Sequence, residues 1–93
     1  MGRRSLAERI YEELDEDVQK DGTWIVLYDF KETRPGTKFW DNLKRVVALT
    51  GEGSLVQYSV YMTRSGRGAR ATARLVKHYG GETLIFHGEV LDP

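Results

Sequence analysis

The first hydrophobic pattern in the chain is that of an amphipathic helix. Apolar residues recur every four positions, as on one side of an α-helix, at Leu6, Ile10, Leu14 and Val18. Ser5 and Glu8 fit a capping box at its start, and Gly22 supplies a stop signal. This pattern predicts an N-terminal helix that occupies most of residues 1–22, with charged residues on its other side.

Two further helices are predicted in the remainder of the chain. Apolar residues at helical spacing indicate one over residues 38–50, with Thr37 as a candidate N-cap. Alanine-rich composition over residues 69–79 favours another. Between them, residues 64–68 combine two arginines with two glycines, which indicates a flexible basic turn.

Three segments carry the patterns of β-strands. Residues 24–30 form an almost continuous apolar run that contains Asp29 near its end. Alternation over residues 54–63 predicts one half-buried strand or a bent pair of strands, and residues 83–90 alternate again. We expect Phe86 to face the core. The positions expected on the uncovered face are Gln57, Ser59, Tyr61, Ile85 and His87.

From residue 23 onward, the predicted order is strand, helix, strand or strand pair, helix, strand. Two helices covering one face of a small sheet match the split βαβ, or ferredoxin-like, arrangement. The sequence therefore predicts an α+β fold in which an N-terminal helix, residues 1–22, extends a ferredoxin-like domain, residues 23–93. The open face of the sheet needs a partner, either a second protomer or a nucleic acid. A second protomer is favoured, because the face carries more apolar residues than a free surface requires and a chain of 93 residues gains useful burial from an interface.

Charge is unevenly distributed along a chain whose net charge is zero. Residues 1–22 carry four basic and seven acidic side chains, whereas residues 31–78 carry ten basic and three acidic ones. The central segment therefore favours a polyanionic partner, and the N-terminal segment repels one.

The most regular basic residues are expected on one side of the last predicted helix. Spacings of three, four and three separate Arg67, Arg70, Arg74 and Lys77. With Arg64, they are candidate contacts to the phosphates of RNA or DNA. An ordinary solvated helix face explains the spacing equally well, although no acidic residue lies between Arg64 and Lys77.

Asp29 is the best candidate for chemistry, because sheet proteins commonly place their sites where strands end. Its local sequence fits the start of a turn at least as well. One carboxylate is a weak basis for a metal site, but a two-fold axis would double it, and Mg²⁺ accepts one or two carboxylates together with phosphate and water. The chain has no cysteine, and its two histidines lack a zinc-binding spacing.

Three segments together resemble a known family. The strand ending at Tyr28-Asp29, the helix containing Lys44-Arg45-Val46, and the segment Gln57 to Tyr61 are similar to the CRISPR-associated spacer-acquisition protein numbered two. The likeness extends over residues 23–90. It implies a ferredoxin-like homodimer with Asp29 as catalytic residue and ligand of a divalent metal, such as Mg²⁺, in a metal-dependent nuclease. The family also holds incoming DNA and bridges copies of an integrase subunit.

A second resemblance competes with the first. Residues 21–24 and 86–89 look like parts of the related domain in phenylacetate-pathway transcriptional repressors, where the domain serves regulation and no catalysis is expected.

The sequence therefore predicts a homodimeric nucleic-acid-binding protein of the CRISPR-adaptation type, with Mg²⁺-dependent endonuclease activity at Asp29 as its enzymatic form. One alternative is a non-catalytic dimerisation or regulatory module that binds nucleic acid. Another is a protein-interaction domain that uses the acidic N-terminal helix. The N-terminus lacks the apolar core of a signal peptide and no apolar run reaches membrane-spanning length, so we expect a cytoplasmic protein without a membrane partner.

Overall fold

The fold is α+β. The computed structural model describes residues 4–16, 22–30, 35–57 and 59–93. Within these ranges, the helices and strands follow one another as α1 (Leu6–Glu13), β1 (Thr23–Asp29), α2 (Thr37–Thr50), β2 (Ser54–Gln57), β3 (Val60–Thr63), α3 (Gly66–His78) and β4 (Glu82–Gly88).

The four strands form one antiparallel sheet in the order β2-β3-β1-β4. β1 lies inside the sheet, where Leu27 is in register with Val60 of β3 on one side and with Leu84 of β4 on the other. Of the two possibilities for residues 54–63, the pair of strands is the one that forms. β2 and β3 pair as a hairpin, and an irregularity shifts their register between Leu55 and Gln57.

Helices cover one face of this sheet. Val26 and Tyr28 of β1 and Tyr61 of β3 point to that face and are buried. α3 packs directly across β1, β3 and β4. Its contribution to the core consists mainly of small residues and two aliphatic ones, namely Ala69, Ala71, Ala73, Leu75 and Val76. Small side chains allow this helix to approach the sheet closely.

An aromatic cluster links α2 to the end of β1. Phe39, which is fully buried, has its ring centroid 5.7 Å from that of Tyr28 and 5.1 Å from that of Phe30. Tyr79, just after α3, completes the cluster at 6.2 Å from Phe39. Burial of a phenylalanine side chain contributes about 1.5–3 kcal/mol, so Phe39 is a main anchor of α2.

α1 packs against both α2 and α3. Ala7 and Ile10 are buried in the shared core, and the backbone N–H of Ala7 donates to Oδ1 of Asn42 on α2 at 2.8 Å. Of the predicted capping box, the bond from the Glu8 N–H to the Ser5 hydroxyl forms, at 3.1 Å, while the Glu8 carboxylate accepts from the Ser5 hydroxyl at 3.2 Å.

The predicted length of α1 was wrong. The helix ends at Glu13, and Leu14 already has extended backbone. Its last turn contains acidic residues and no basic one. Negative charge at a helix C-terminus opposes the helix dipole, by about 0.3–1 kcal/mol per group. The predicted continuation over residues 17–21 lies outside the described residues.

The starts of the other two helices also differ from prediction. Gly36, rather than Thr37, is the N-cap of α2, and it provides no side-chain cap. α3 begins at Gly66 instead of Ala69, because the Ser65 hydroxyl accepts from the N–H of Gly68 at 2.9 Å. The residues predicted as a flexible basic turn are therefore the cap and first turn of a helix.

Candidate functional site

Asp29 is the last residue of β1, and its side chain is exposed on the face opposite the helices. This orientation follows from alternation, since its neighbour Tyr28 is buried on the helix-covered face. Asp29 is in register with Glu82, the first residue of β4. Residues paired in this way share a face, with their Cβ atoms about 4.5–5.5 Å apart. The fold therefore places two carboxylates side by side.

Sequence reasoning found Asp29 but missed Glu82. The last strand was predicted to begin at Thr83, so Glu82 fell outside it. The pairing depends on the register between β1 and β4, which are far apart in sequence and adjacent only in the folded sheet. No local pattern in the sequence identifies such a pair.

A shallow cavity of about 500 Å³ lies beside the carboxylate pair. Its polar lining includes Asp29, Glu82 and Thr83, and Lys77 from the last turn of α3 contributes a cation. The structure thus brings together two of the predicted site residues, Asp29 and Lys77, at the same end of the sheet. Among the described residues, no group of three or more His, Cys, Asp or Glu side chains gathers as a metal-binding cluster.

The remaining predicted basic residues divide into two groups. Arg67 and Arg74 contact α1. Nε of Arg67 donates to the carbonyl of Tyr11 at 2.9 Å, and its guanidinium carbon lies 3.8 Å from the centre of the Tyr11 ring. The guanidinium of Arg74 lies 3.6 Å from the carboxylate of Glu13. Arg67 is consequently half-buried. The exposed side chains of Arg64 and Arg70 remain at the surface. The predicted basic residues therefore include both contacts to α1 and cations that face solvent.

The open face of the sheet carries two apolar rows that cross three strands. One row is Met62, Ile25 and Phe86; the other is Val60, Leu27 and Leu84. Leu84 is 62% exposed and Phe86 54% exposed. Leu27 is 36% exposed, and Met62, Ile25 and Val60 are half-buried, so the two rows form a contiguous apolar patch that is partly accessible to solvent.

The faces predicted for β3 and β4 were wrong. Tyr61 is fully buried under the helices, and Ile85 and His87 lie on the helix-facing side, whereas Phe86 lies on the open face. The cause is the register with β1, because Ile85 is opposite the buried Val26. Ser59 is exposed between β2 and β3, and the side chain of Gln57 lies outside the described part of the chain.

Comparison of the chain with protein-family models, with curated proteins and with solved structures gave no match. Within the described residues, none of the helices is both long and apolar enough to span a bilayer.

Proposed function

We propose that this chain is a homodimeric nucleic-acid-binding protein of the CRISPR-adaptation type. The observation that carries the proposal is the composition of α3, which contains three arginines and a lysine and no acidic residue. Its outer cations Arg70, Arg74 and Lys77 are exposed and follow one another along the helix. Such a row attracts phosphates, and no negative charge on the same helix opposes it.

The strand order supports a ferredoxin-like fold as part of this proposal. α2 and α3 each connect two strands that are separated in the sheet by one antiparallel neighbour. This is the connectivity of two interlocked split βαβ units. α1 is then an N-terminal addition to that fold, packed on its helices.

The open face supports the homodimer. A two-fold symmetric interface uses the same patch from both protomers, so the patch must complement itself. The six apolar residues of the two cross-strand rows meet this condition, because they form a continuous sheet surface with no charged residue among them. Asp29 and Glu82 lie at the end of the same face, next to the Leu27–Leu84 pair. Dimerisation would therefore bring the carboxylate pairs close to the interface.

The carboxylate pair fits a hard divalent cation. Mg²⁺ is commonly held by one or two carboxylates and completes its coordination with phosphate and water. Asp29 and Glu82 are the residues that would hold it, and the bound ion would supply Lewis-acid activation of a phosphodiester. Lys77, which lines the same cavity, would bind the phosphate and balance part of its charge.

A non-catalytic role is the second candidate. It is favoured by the small ligand set, because among the described residues the pair is not joined by a third carboxylate or imidazole in a cluster. In this form of the proposal, the protein acts in the cytoplasm by holding nucleic acid, and an integrase subunit is its protein partner. A regulatory role without catalysis is another form of this second candidate.

Cleavage assays separate these two forms. We expect labelled single- and double-stranded RNA and DNA to be cut in Mg²⁺ or Mn²⁺ and not in EDTA. Asp29→Asn should lower the rate at least about 100-fold, since loss of even an outer-sphere partner of a metal ligand costs about 10–100-fold. Asp41→Asn, which removes an exposed acid from α2, is the matched control and should retain the rate.

Binding is recorded in the same samples. Cutting that Asp29→Asn abolishes while binding persists would establish the nuclease. Binding by wild type without cutting in any metal would contradict the nuclease and support the non-catalytic role. Absence of binding at low salt would contradict the proposed function in both forms.

A further inference from the structure

A second cavity, of about 330 Å³, lies on the helix-facing side between α3 and β4. Arg70, Arg74 and Lys77 line it from α3, and Ile85 lines it from β4. Leu14, directly after α1, also lines it. We refer to this depression as the α3–β4 groove. It is distinct from the open apolar face, which lies on the other side of the sheet.

The three cations of the groove are arranged along its length. They occupy successive turns of α3, and at 1.5 Å per residue their Cα atoms extend over about 10 Å of the helix axis. Phosphates of one DNA strand advance by about 3.4 Å per nucleotide along the duplex axis and lie farther apart along an extended single strand, so this length spans more than one phosphate. The wall of the groove therefore matches a short stretch of backbone and not an isolated anion.

An aromatic stack lies beyond the apolar part of the groove lining, on the same face of β4. Beyond Ile85 along the same face of β4 lies His87, whose ring stacks on Trp24 with centroids 4.1 Å apart and planes 15° from parallel. Arg70 reaches over this stack, with its guanidinium carbon 5.8 Å from the Trp24 ring centre. His87 is exposed, so the stack presents an aromatic surface beside the row of cations.

Glu13 pairs with one cation of the wall, Arg74, and competes with a phosphate only weakly. Its carboxylate is 3.6 Å from Arg74, and the side chains of Glu13 and Arg74 are 70% and 52% exposed. An ion pair so accessible to solvent contributes little and is screened by salt. A phosphate can therefore replace it without disturbing the core contacts of α1.

We propose that the α3–β4 groove binds single-stranded nucleic acid, with phosphates on Arg70, Arg74 and Lys77 and a base on the Trp24–His87 stack. A positively charged groove beside an aromatic surface is the arrangement by which unpaired strands are held, because their bases are free to leave the backbone and stack on protein rings. A duplex keeps its bases inside and cannot place one on this stack. The inference rests on the proposed function and narrows it to one class of substrate and one site.

The test compares affinities for labelled oligothymidylate and oligouridylate of about 12 nucleotides, a length that small binding grooves accommodate, with a duplex of equal length. We expect the single strands to bind more tightly. The double variant Arg70→Gln, Arg74→Gln, which leaves the Lys77 shared with the Asp29 cavity in place, should weaken their binding at least tenfold. It should also reduce the slope of log K against log salt by about 1.4, at about 0.7 per lost phosphate contact.

Two further variants complete the experiment. One is a control double variant on α2, and the other removes the ring of His87. Lys38→Gln, Lys44→Gln removes the same charge from exposed positions on α2 and should stay within twofold of wild type. His87→Ala should weaken single-strand binding roughly fivefold or more, because stacking of one base is worth that much or more in affinity. In a Trp40→Phe background Trp24 is the sole tryptophan, and its fluorescence should change on binding.

Two outcomes would contradict the groove, and a third would contradict the proposed function. If the two double variants weaken binding equally, or if the duplex binds more tightly than the single strands, the groove is not the site and the proposed function stands. If wild type binds neither kind of nucleic acid at low salt, the proposed function itself fails.

Discussion

Two tyrosine hydroxyl groups lie within the core. Tyr28 is 5% exposed and Tyr61 is fully buried. Removal from water disfavours a phenolate, so burial raises the pKa of Tyr28 to about 12 and that of Tyr61 also to about 12. In the unfolded chain, both groups ionise near their ordinary pKa of 10. The folded state therefore binds more protons than the unfolded state between these two values.

Stability should consequently fall in alkaline solution. The contribution of the two tyrosines is complete below pH 10 and is lost as pH rises from 10 through about 12, because the unfolded chain then loses protons that the folded chain retains. We expect Tyr28→Phe to reduce this fall. At neutral pH, it should change the free energy of unfolding by less than about 1 kcal/mol, since the Tyr28 hydroxyl has no hydrogen-bond partner among the described residues.

Urea unfolding measured between pH 7 and pH 11 checks both statements. An alkaline loss of stability in Tyr28→Phe as steep as that of wild type would contradict the assignment of Tyr28.

At the scale of elements, the helix starts differ in how well they are capped. Ser65 caps α3 through its hydroxyl, whereas Gly36 leaves α2 without a side-chain cap. We expect Ser65→Ala to lower the free energy of unfolding by about 1 kcal/mol and Gly36→Ser to raise it by a few tenths of a kcal/mol. The second change meets no obstacle, because a Cβ at Gly36 would have no atom within 4 Å and its φ is −83°.

Chemical denaturation of the two variants and the double variant provides the measurement. The sites lie on different helices, so their effects should add. A loss on introducing serine at position 36 would show that Gly36 has another role.

The sequence predicted most elements and missed the facing of the strands, for a physical reason. Helical spacing over residues 38–50 and the apolar run of β1 are strong local signals, and both elements form within one residue of the prediction. Alternation in β4 is equally clear, but it gives two faces without saying which one is covered. That choice is made by pairing with β1, since Ile85 and Tyr61 both fall opposite the buried Val26.

The candidate sites also divide into features that local sequence shows and features that only strand pairing creates. Asp29 and the row of cations could be read locally, because a strand end and a helical spacing are properties of short segments. Glu82 and the aromatic stack beside the α3–β4 groove could not. They arise where β4 meets β1, and the stack of Trp24 on His87 joins residues on opposite ends of the domain sequence.

At the scale of the whole molecule, the open face makes a direct prediction about assembly. Replacing Leu84 and Phe86 by arginine should convert a dimer into a monomer, because two charges would then face their symmetry mates across the interface. The fold should persist, since both side chains are more than half exposed in the protomer. Sedimentation equilibrium gives the association state, and circular dichroism checks the fold.

Leu49→Arg is the control for this experiment. Leu49 is also an exposed leucine, 39% accessible, but it lies on α2, away from the open face. We expect it to leave the association constant unchanged. A wild-type protein that is monomeric at high concentration, or a Leu84, Phe86 double variant that remains dimeric, would contradict this use of the face.

The α3–β4 groove and the proposed dimer interface lie on opposite sides of the sheet, and this determines how a dimer would engage a nucleic-acid strand. Paired through their open faces, two protomers would carry their α3–β4 grooves on the outside of the particle, directed away from each other. One short strand could then occupy one groove only, whereas a strand long enough to pass around the dimer would engage both and gain avidity without any new contact. Affinity should therefore rise in a step with strand length, and the length at which it rises would measure the separation of the two grooves.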